Sequence, residues 1–164
     1  MAGIDRKESQ IMKTSSELRS LVERRAWDKE IVVWLGSMDS LLSAIPAGSA
    51  DTKQLDLLDL VSDKDVPDEE ARAQFRRALD SQLKLLKPPP GQHRILIVTS
   101  TSLLAHFNTG LAGFFNWFCT DHSMVILHLD GKPEKLSLPA EFEFRADALL
   151  DYLAQPDYAK AIYR

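Results

Sequence analysis

Arg94-Ile95-Leu96-Ile97-Val98-Thr99-Ser100-Thr101-Ser102 is the stretch on which the fold turns. Four branched apolar residues stand in a row without alternation, then give way at once to a cluster of hydroxyls. A strand that is apolar on both faces is usually covered on both faces, which is the situation of a parallel sheet with helices above and below it. Two further runs have the same character, Ile31-Val32-Val33-Trp34-Leu35 and Met124-Val125-Ile126-Leu127-His128-Leu129.

Working outward, Pro88-Pro89-Pro90-Gly91 closes a preceding helix, because proline cannot continue one and restricts the residue before it. Phe75, Leu79, Leu83 and Leu86 mark its buried face. Asp65, Asp68, Glu69 and Glu70 place acids around its first turn, where Pro67 is tolerated. Further upstream the spacing of Ile11, Leu18, Leu21, Val22 and Trp27 predicts an N-terminal helix over residues 1–29. A short helix is predicted from Met38 to Ile45. Leu55–Val61 suits a strand or a helical turn and is read as a short strand. Downstream, helices are expected from Leu103 and over Leu111–Phe118. After the turn at Asp130-Gly131-Lys132-Pro133 come short β segments around Leu136, Leu138, Phe142 and Phe144. The tail, Ala146–Leu153 and Asp157–Tyr163, is predicted helical. The expectation is one α/β domain over 1–164, with residues 30–164 forming the sheet core and a C-terminal helical tail. Its architecture is three-layered, a mostly parallel sheet with helices on both faces.

Length and composition agree with this picture. The chain has 164 residues, 45% of them hydrophobic, a length that suits one domain. Its 20 basic and 24 acidic residues leave a net charge of −4, which excludes a generally basic nucleic-acid coat. Cys119 is the single cysteine and has no internal disulfide partner. The polar start, Met1-Ala2-Gly3-Ile4-Asp5, lacks the apolar core of a signal peptide, and the apolar runs fall far short of the ~20 residues that span a bilayer. A cytoplasmic protein without a membrane segment is expected.

In a sheet of this kind ligands gather at the carboxyl ends of the strands. Gly36-Ser37 follows the first long strand, and Thr99-Ser100-Thr101-Ser102 follows the second. Gly36, Ser37, Thr99, Ser100, Thr101 and Ser102 are therefore the candidate anion-binding residues. Turn formation by Gly36-Ser37 and helix capping by the hydroxyls are the competing roles. No G-x-x-x-x-G-K-[ST] loop or G-x-G-x-x-G fingerprint occurs anywhere in the chain, so the backbone donors and lysine that cradle nucleotide phosphates are missing. A serine acting with His106 or His128 and Asp130 lacks the G-x-S-x-G elbow of a hydrolase. His93, His106, His122 and His128 show no metal-ligand spacing. The sequence thus predicts no catalytic residue, no metal and no cofactor. Phe107, Phe114, Phe115, Trp117 and Phe118 concentrate aromatic area around one helix. Burial in the core is the default for such a helix, and Phe114, Phe115, Trp117 and Phe118 are the candidates for a partner surface as its rival. Arg72, Arg76, Arg77, Lys84 and Lys87 form a basic stripe interrupted by Asp80, read as a solvated face.

The second half carries an apolar strand (Ile95–Val98), a loop and leucine-rich helix (Leu103–Phe118), a strand ending at a glycine turn (Met124–Gly131) and the ending Pro156-Asp157-Tyr158 with Ala161-Ile162-Tyr163-Arg164. Over residues 94–164, and more loosely 30–45, this pattern resembles the small P-loop-related accessory proteins of the BREX phage-exclusion systems, the B and F components. The F component is similar in its ending but carries a Walker A loop that this chain lacks, so its ATP-binding role does not transfer. The B component resembles the chain in lacking that loop and offers no catalytic residues to carry over. The resemblance implies a degenerate P-loop/Rossmann-like fold kept as a scaffold, a non-catalytic role in phage defence, and partners among the other proteins of the same system. Self-association is left open, and the acidic balance with Asp80 inside the basic stripe disfavours direct nucleic-acid binding. The alternative is a small nucleotide- or anion-binding regulatory domain or enzyme using the strand-end loops.

Overall fold

A computed structural model describes residues 12–61, 69–107, 109–129 and 161–163. In chain order, β1 (Met12–Lys13) and α1 (Ser15–Arg24) precede β2 (Glu30–Trp34), and α2 (Met38–Ala44) leads to β3 (Asp51–Asp56) and a 3-10 turn at Leu57–Leu60. There follow α3 (Glu69–Leu86), β4 (Arg94–Thr99), two short helices α4 (Ser102–His106) and α5 (Ala112–Trp117), β5 (Ser123–His128) and β6 (Ala161–Tyr163). The strands form one sheet in the order β1-β6-β2-β5-β4-β3, and every pairing is parallel.

The apolar runs form strands because both of their faces are needed. Ile31, Val33, Leu96, Val98, Val125 and Leu127 point to the side covered by Phe75, Leu79 and Leu83 of α3 and by Leu103, Leu104, Phe114 and Phe118. Their neighbours Val32, Trp34, Ile95, Ile97, Met124 and Ile126 point to the opposite side, covered by Leu18 and Val22 of α1, Trp27, and Leu41 and Ala44 of α2. The register locks these rows together, with Val32 opposite Ile126 and Ile126 opposite Ile97. Helices on both faces of a parallel sheet make the three-layer α/β arrangement that the unbroken runs imply. At the other end of the sheet, Arg94 ties three elements. Its Nε and Nη2 each lie 2.8 Å from Asp51 Oδ2, and its Nη1 donates to the Leu86 carbonyl at the end of α3 (2.7 Å).

Three expectations are corrected. The N-terminal helix is shorter than residues 1–29: α1 starts after its N-cap Thr14, which accepts from the Glu17 N–H, and ends at Arg25, whose φ of 57° turns the chain left-handed. Trp27 joins the core from outside the helix, its indole N–H donating to the Leu21 carbonyl at 2.9 Å, which is how it continued the apolar spacing without continuing the helix. The strand sought at Leu55–Val61 lies mostly upstream, at Asp51–Asp56, and Leu57–Leu60 is a 3-10 turn. Thr52, Lys53 and Gln54 are exposed because β3 is an edge strand, so its sequence shows little apolar pattern. The tail helix predicted to reach Tyr163 gives way to β6, which pairs with both β1 and β2. The predictions over residues 1–11, 62–68 and 130–160, among them the turn at Asp130–Pro133 and the β segments around 136–144, lie outside the described residues.

This packing sets the sensitivity of the fold. Leu96→Ala, at a position with no exposed surface, is expected to lower unfolding free energy by about 2–5 kcal/mol. Lys53→Ala on the exposed edge should change it by less than about 0.5 kcal/mol. Chemical denaturation of the two variants checks both values.

Candidate functional site

The loops at the carboxyl ends of the strands meet where the chain changes face. β2 feeds into α2 on one side of the sheet, while β4, with β5 lying between them, feeds into α4 and α5 on the other. In open α/β folds the strand ends at such a reversal are the ordinary ligand position. Gly36-Ser37 follows β2 and Ser100-Thr101 follows β4 at these strand ends.

The loop after β2 is short and already filled. The Trp34 indole N–H donates to the Ser37 carbonyl (3.0 Å), and His128 Nε2–H donates to the Gly36 carbonyl (2.9 Å). The Ser37 hydroxyl accepts from the Ser40 N–H (3.1 Å) and is the N-cap of α2. Position 36 needs glycine for space: a Cβ there would stand 2.9 Å from both Trp34 Nε1 and Ser40 Oγ. Indole and imidazole thus hold the loop's two carbonyls turned toward them.

The loop after β4 is equally committed. Ser100, at φ 57°, donates its hydroxyl to Asp56 Oδ1 at 2.5 Å. The same oxygen accepts from the Leu58 N–H and holds the 3-10 turn after β3. Thr101 is buried and donates to the His128 carbonyl (2.9 Å), tying the end of β4 to the end of β5. Neither hydroxyl caps α4. Instead the backbone carbonyls of Ser100 and Thr101 accept from Leu103 and Leu104. Thr99 closes β4 half-buried, and Ser102 opens α4. The Ser100 hydroxyl donates directly to the Asp56 carboxylate while His128 Nε2 is engaged by the Gly36 carbonyl, so among the described residues no serine–histidine pair of the kind considered from the sequence is formed. Asp130, the acid considered for that relay, lies outside the described residues. The Asp56–Ser100 pair escaped the sequence reading because its members are 44 positions apart. Only the parallel register, Asp56 opposite Thr99, brings them together.

A recess of about 510 Å³ lies between α1 and α2, over Trp34. Its polar groups are largely turned to the backbone. Arg19 Nη2 donates to the Ser43 carbonyl (2.6 Å), Ser40 Oγ to the Ser37 carbonyl and Ser43 Oγ to the Asp39 carbonyl (both 3.0 Å). His93 and His122 lie at the opposite end of the strands, their rings 4.7 Å apart, with His93 Nε2–H donating to the Arg25 carbonyl. Among the described residues no three His, Cys, Asp or Glu side chains gather as a metal site would require. Cys119 is buried.

The aromatic cluster divides. Phe114 and Phe118 are wholly buried and cannot belong to a partner surface, while Phe115 is partly buried and Trp117 is 39% exposed. His106 ends α4 edge-on to Phe107, with centroids 4.8 Å apart, and burial lowers its pKa below the ordinary histidine value. No helix among the described residues is long and apolar enough to cross a membrane. No protein-family model matches the chain, and a search of curated proteins finds no match either.

Two outcomes follow from this geometry. Thr101→Val removes a buried donor and orphans the His128 carbonyl, so thermal and denaturant unfolding should show a loss of about 1–3 kcal/mol. For His106, a folded-state pKa below the unfolded value of 6.5 means that the unfolded chain binds the proton more readily. Its contribution is complete above that pH and is lost as pH falls through and below it. The acid-side fall in Tm should therefore be shallower in His106→Gln than in the parent protein.

Proposed function

We propose that this chain is a non-catalytic accessory protein of a bacterial phage-defence system, built on a degenerate P-loop/Rossmann-like fold and acting through contacts with other proteins of that system. The observation that carries the reading is the loop after β2. A phosphate cradle requires several backbone N–H groups converging on an open concavity. Here Trp34 and His128, side by side at the ends of β2 and β5, bind that loop's carbonyls, and Ser37 serves its own helix. The resemblance of the second half to BREX accessory proteins supplies the biological setting. The engagement of Ser100 by Asp56 and of Thr101 by the His128 carbonyl supports the same view of the neighbouring loop.

Two measurements test it together. A thermal-shift series with ATP, GTP and their diphosphates should leave Tm unchanged, whereas a nucleotide bound at 100 times its Kd would add about 2.7 kcal/mol. Expressed with its neighbouring genes, the tagged protein should copurify with their products. A nucleotide-dependent rise in Tm that vanishes in Ser100→Ala would replace this reading with the regulatory, ligand-binding one.

A further inference from the structure

We infer that the outward face of α3, with Trp117 of α5 at its flank, is the docking surface for an acidic segment of a partner protein that carries an apolar anchor. The inference deepens the contact-based function proposed above and rests on it.

The residues of α3 divide sharply by side. Phe75, Leu79 and Leu83 are buried against the sheet. Arg72, Arg76, Arg77 and Lys84 are exposed on the helix, and Lys87 is exposed just beyond it. Among the described residues none of the three arginines makes an ion pair; the salt bridges there belong to Asp51 with Lys53 and with Arg94. The one acid within the stripe, Asp80, is half-buried and turned into the seam with α5, where its Oδ1 would stand 2.8 Å from a Cβ at Gly113. Cations are thus left outward on a helix of a chain whose net charge is −4. Arg72 and Arg76, four residues apart, repel one another along the helix, an effect that an opposite charge relieves.

Apolar surface adjoins these charges. Lys84 Nζ lies 4.1 Å from the centroid of the Trp117 ring, which is 39% exposed, and Leu85 of the same helix is 75% exposed. An exposed tryptophan and unpaired arginines are the residue types that anchor protein interfaces. The charge complement is a row of carboxylates. A protein segment suits the face better than a nucleic acid for two reasons. The overall negative charge opposes a long polyanion, and Lys84 covers the indole face on which a base would stack.

A labelled synthetic helical peptide of alternating glutamate and leucine faces serves as probe, beside its lysine-for-glutamate twin and a single-stranded DNA oligonucleotide. The acidic peptide should bind, weaken with added salt, and lose roughly tenfold in affinity in the Arg76→Glu/Arg77→Glu double variant. Trp117→Ala should also weaken it, while Arg24→Glu on the distant α1 should not. Unchanged Tm in each variant confirms that folding is intact. Equal affinity for parent and double variant, absence of binding, or preference for the lysine peptide or the oligonucleotide overturns the inference. Copurification from the native locus separates the two levels. Partners retained by the double variant overturn the α3 surface alone, whereas no locus partner for the parent protein overturns the contact-based function and this inference together.

Discussion

Everything in this fold depends on β5 being buried along its whole length. Its six residues are all buried, with β2 hydrogen-bonded on one side and β4 on the other. A strand in that position has no solvent face, so its residues must be apolar in both directions, and Met124 to Leu127 are. Because successive side chains point to opposite sides, one strand seeds two separate cores. Val125 and Leu127 belong to the core under α3 to α5, and Met124 and Ile126 to the core under α1 and α2. The helices find their places because each core offers an apolar surface that water would otherwise cover.

The same strand carries that order up to its polar end. His128 is the last residue of β5 and works in two directions, its imidazole holding the Gly36 carbonyl and its own carbonyl accepting from Thr101. The ends of β2, β5 and β4 are thereby joined, and Ser100 with Asp56 extends the joint to β3. Buried or half-buried polar groups require partners, and here the partners are one another. Ser100 and Thr101, which in the sequence suit helix capping or anion binding, are in the fold the stitching between neighbouring strands.

How much of this the sequence discloses follows from whether a signal is local. Unbroken apolar strands such as Ile95–Val98 and the step-of-four spacing of Phe75, Leu79 and Leu83 were legible, because burial on a known face leaves a period in the chain. The edge strand β3 is not legible at its true place because exposed Thr52, Lys53 and Gln54 carry no such period. β6 reads as helix in the sequence because three residues pairing with two distant strands owe their conformation to partners and not to propensity. The candidate site was legible as a place, the strand ends, but not as a set of bonds. Nothing near Ser100 in the chain announces Asp56, and nothing near Gly36 announces His128. Among the aromatics, period alone did not tell buried Phe114 and Phe118 from half-exposed Trp117.

The pairing of β1 with β6 also bears on how the molecule is made. Met12 lies opposite Ile162 and Lys13 opposite Tyr163, so nearly the full chain separates the two outermost strands on that edge. β2 likewise waits for β5 before its central pairing can form. Contacts of such long sequence separation are slow to close, and during synthesis the early strands leave the ribosome long before their mates exist. The stretch from Ile31 to Trp34 therefore spends that interval as an unpaired, water-averse ribbon.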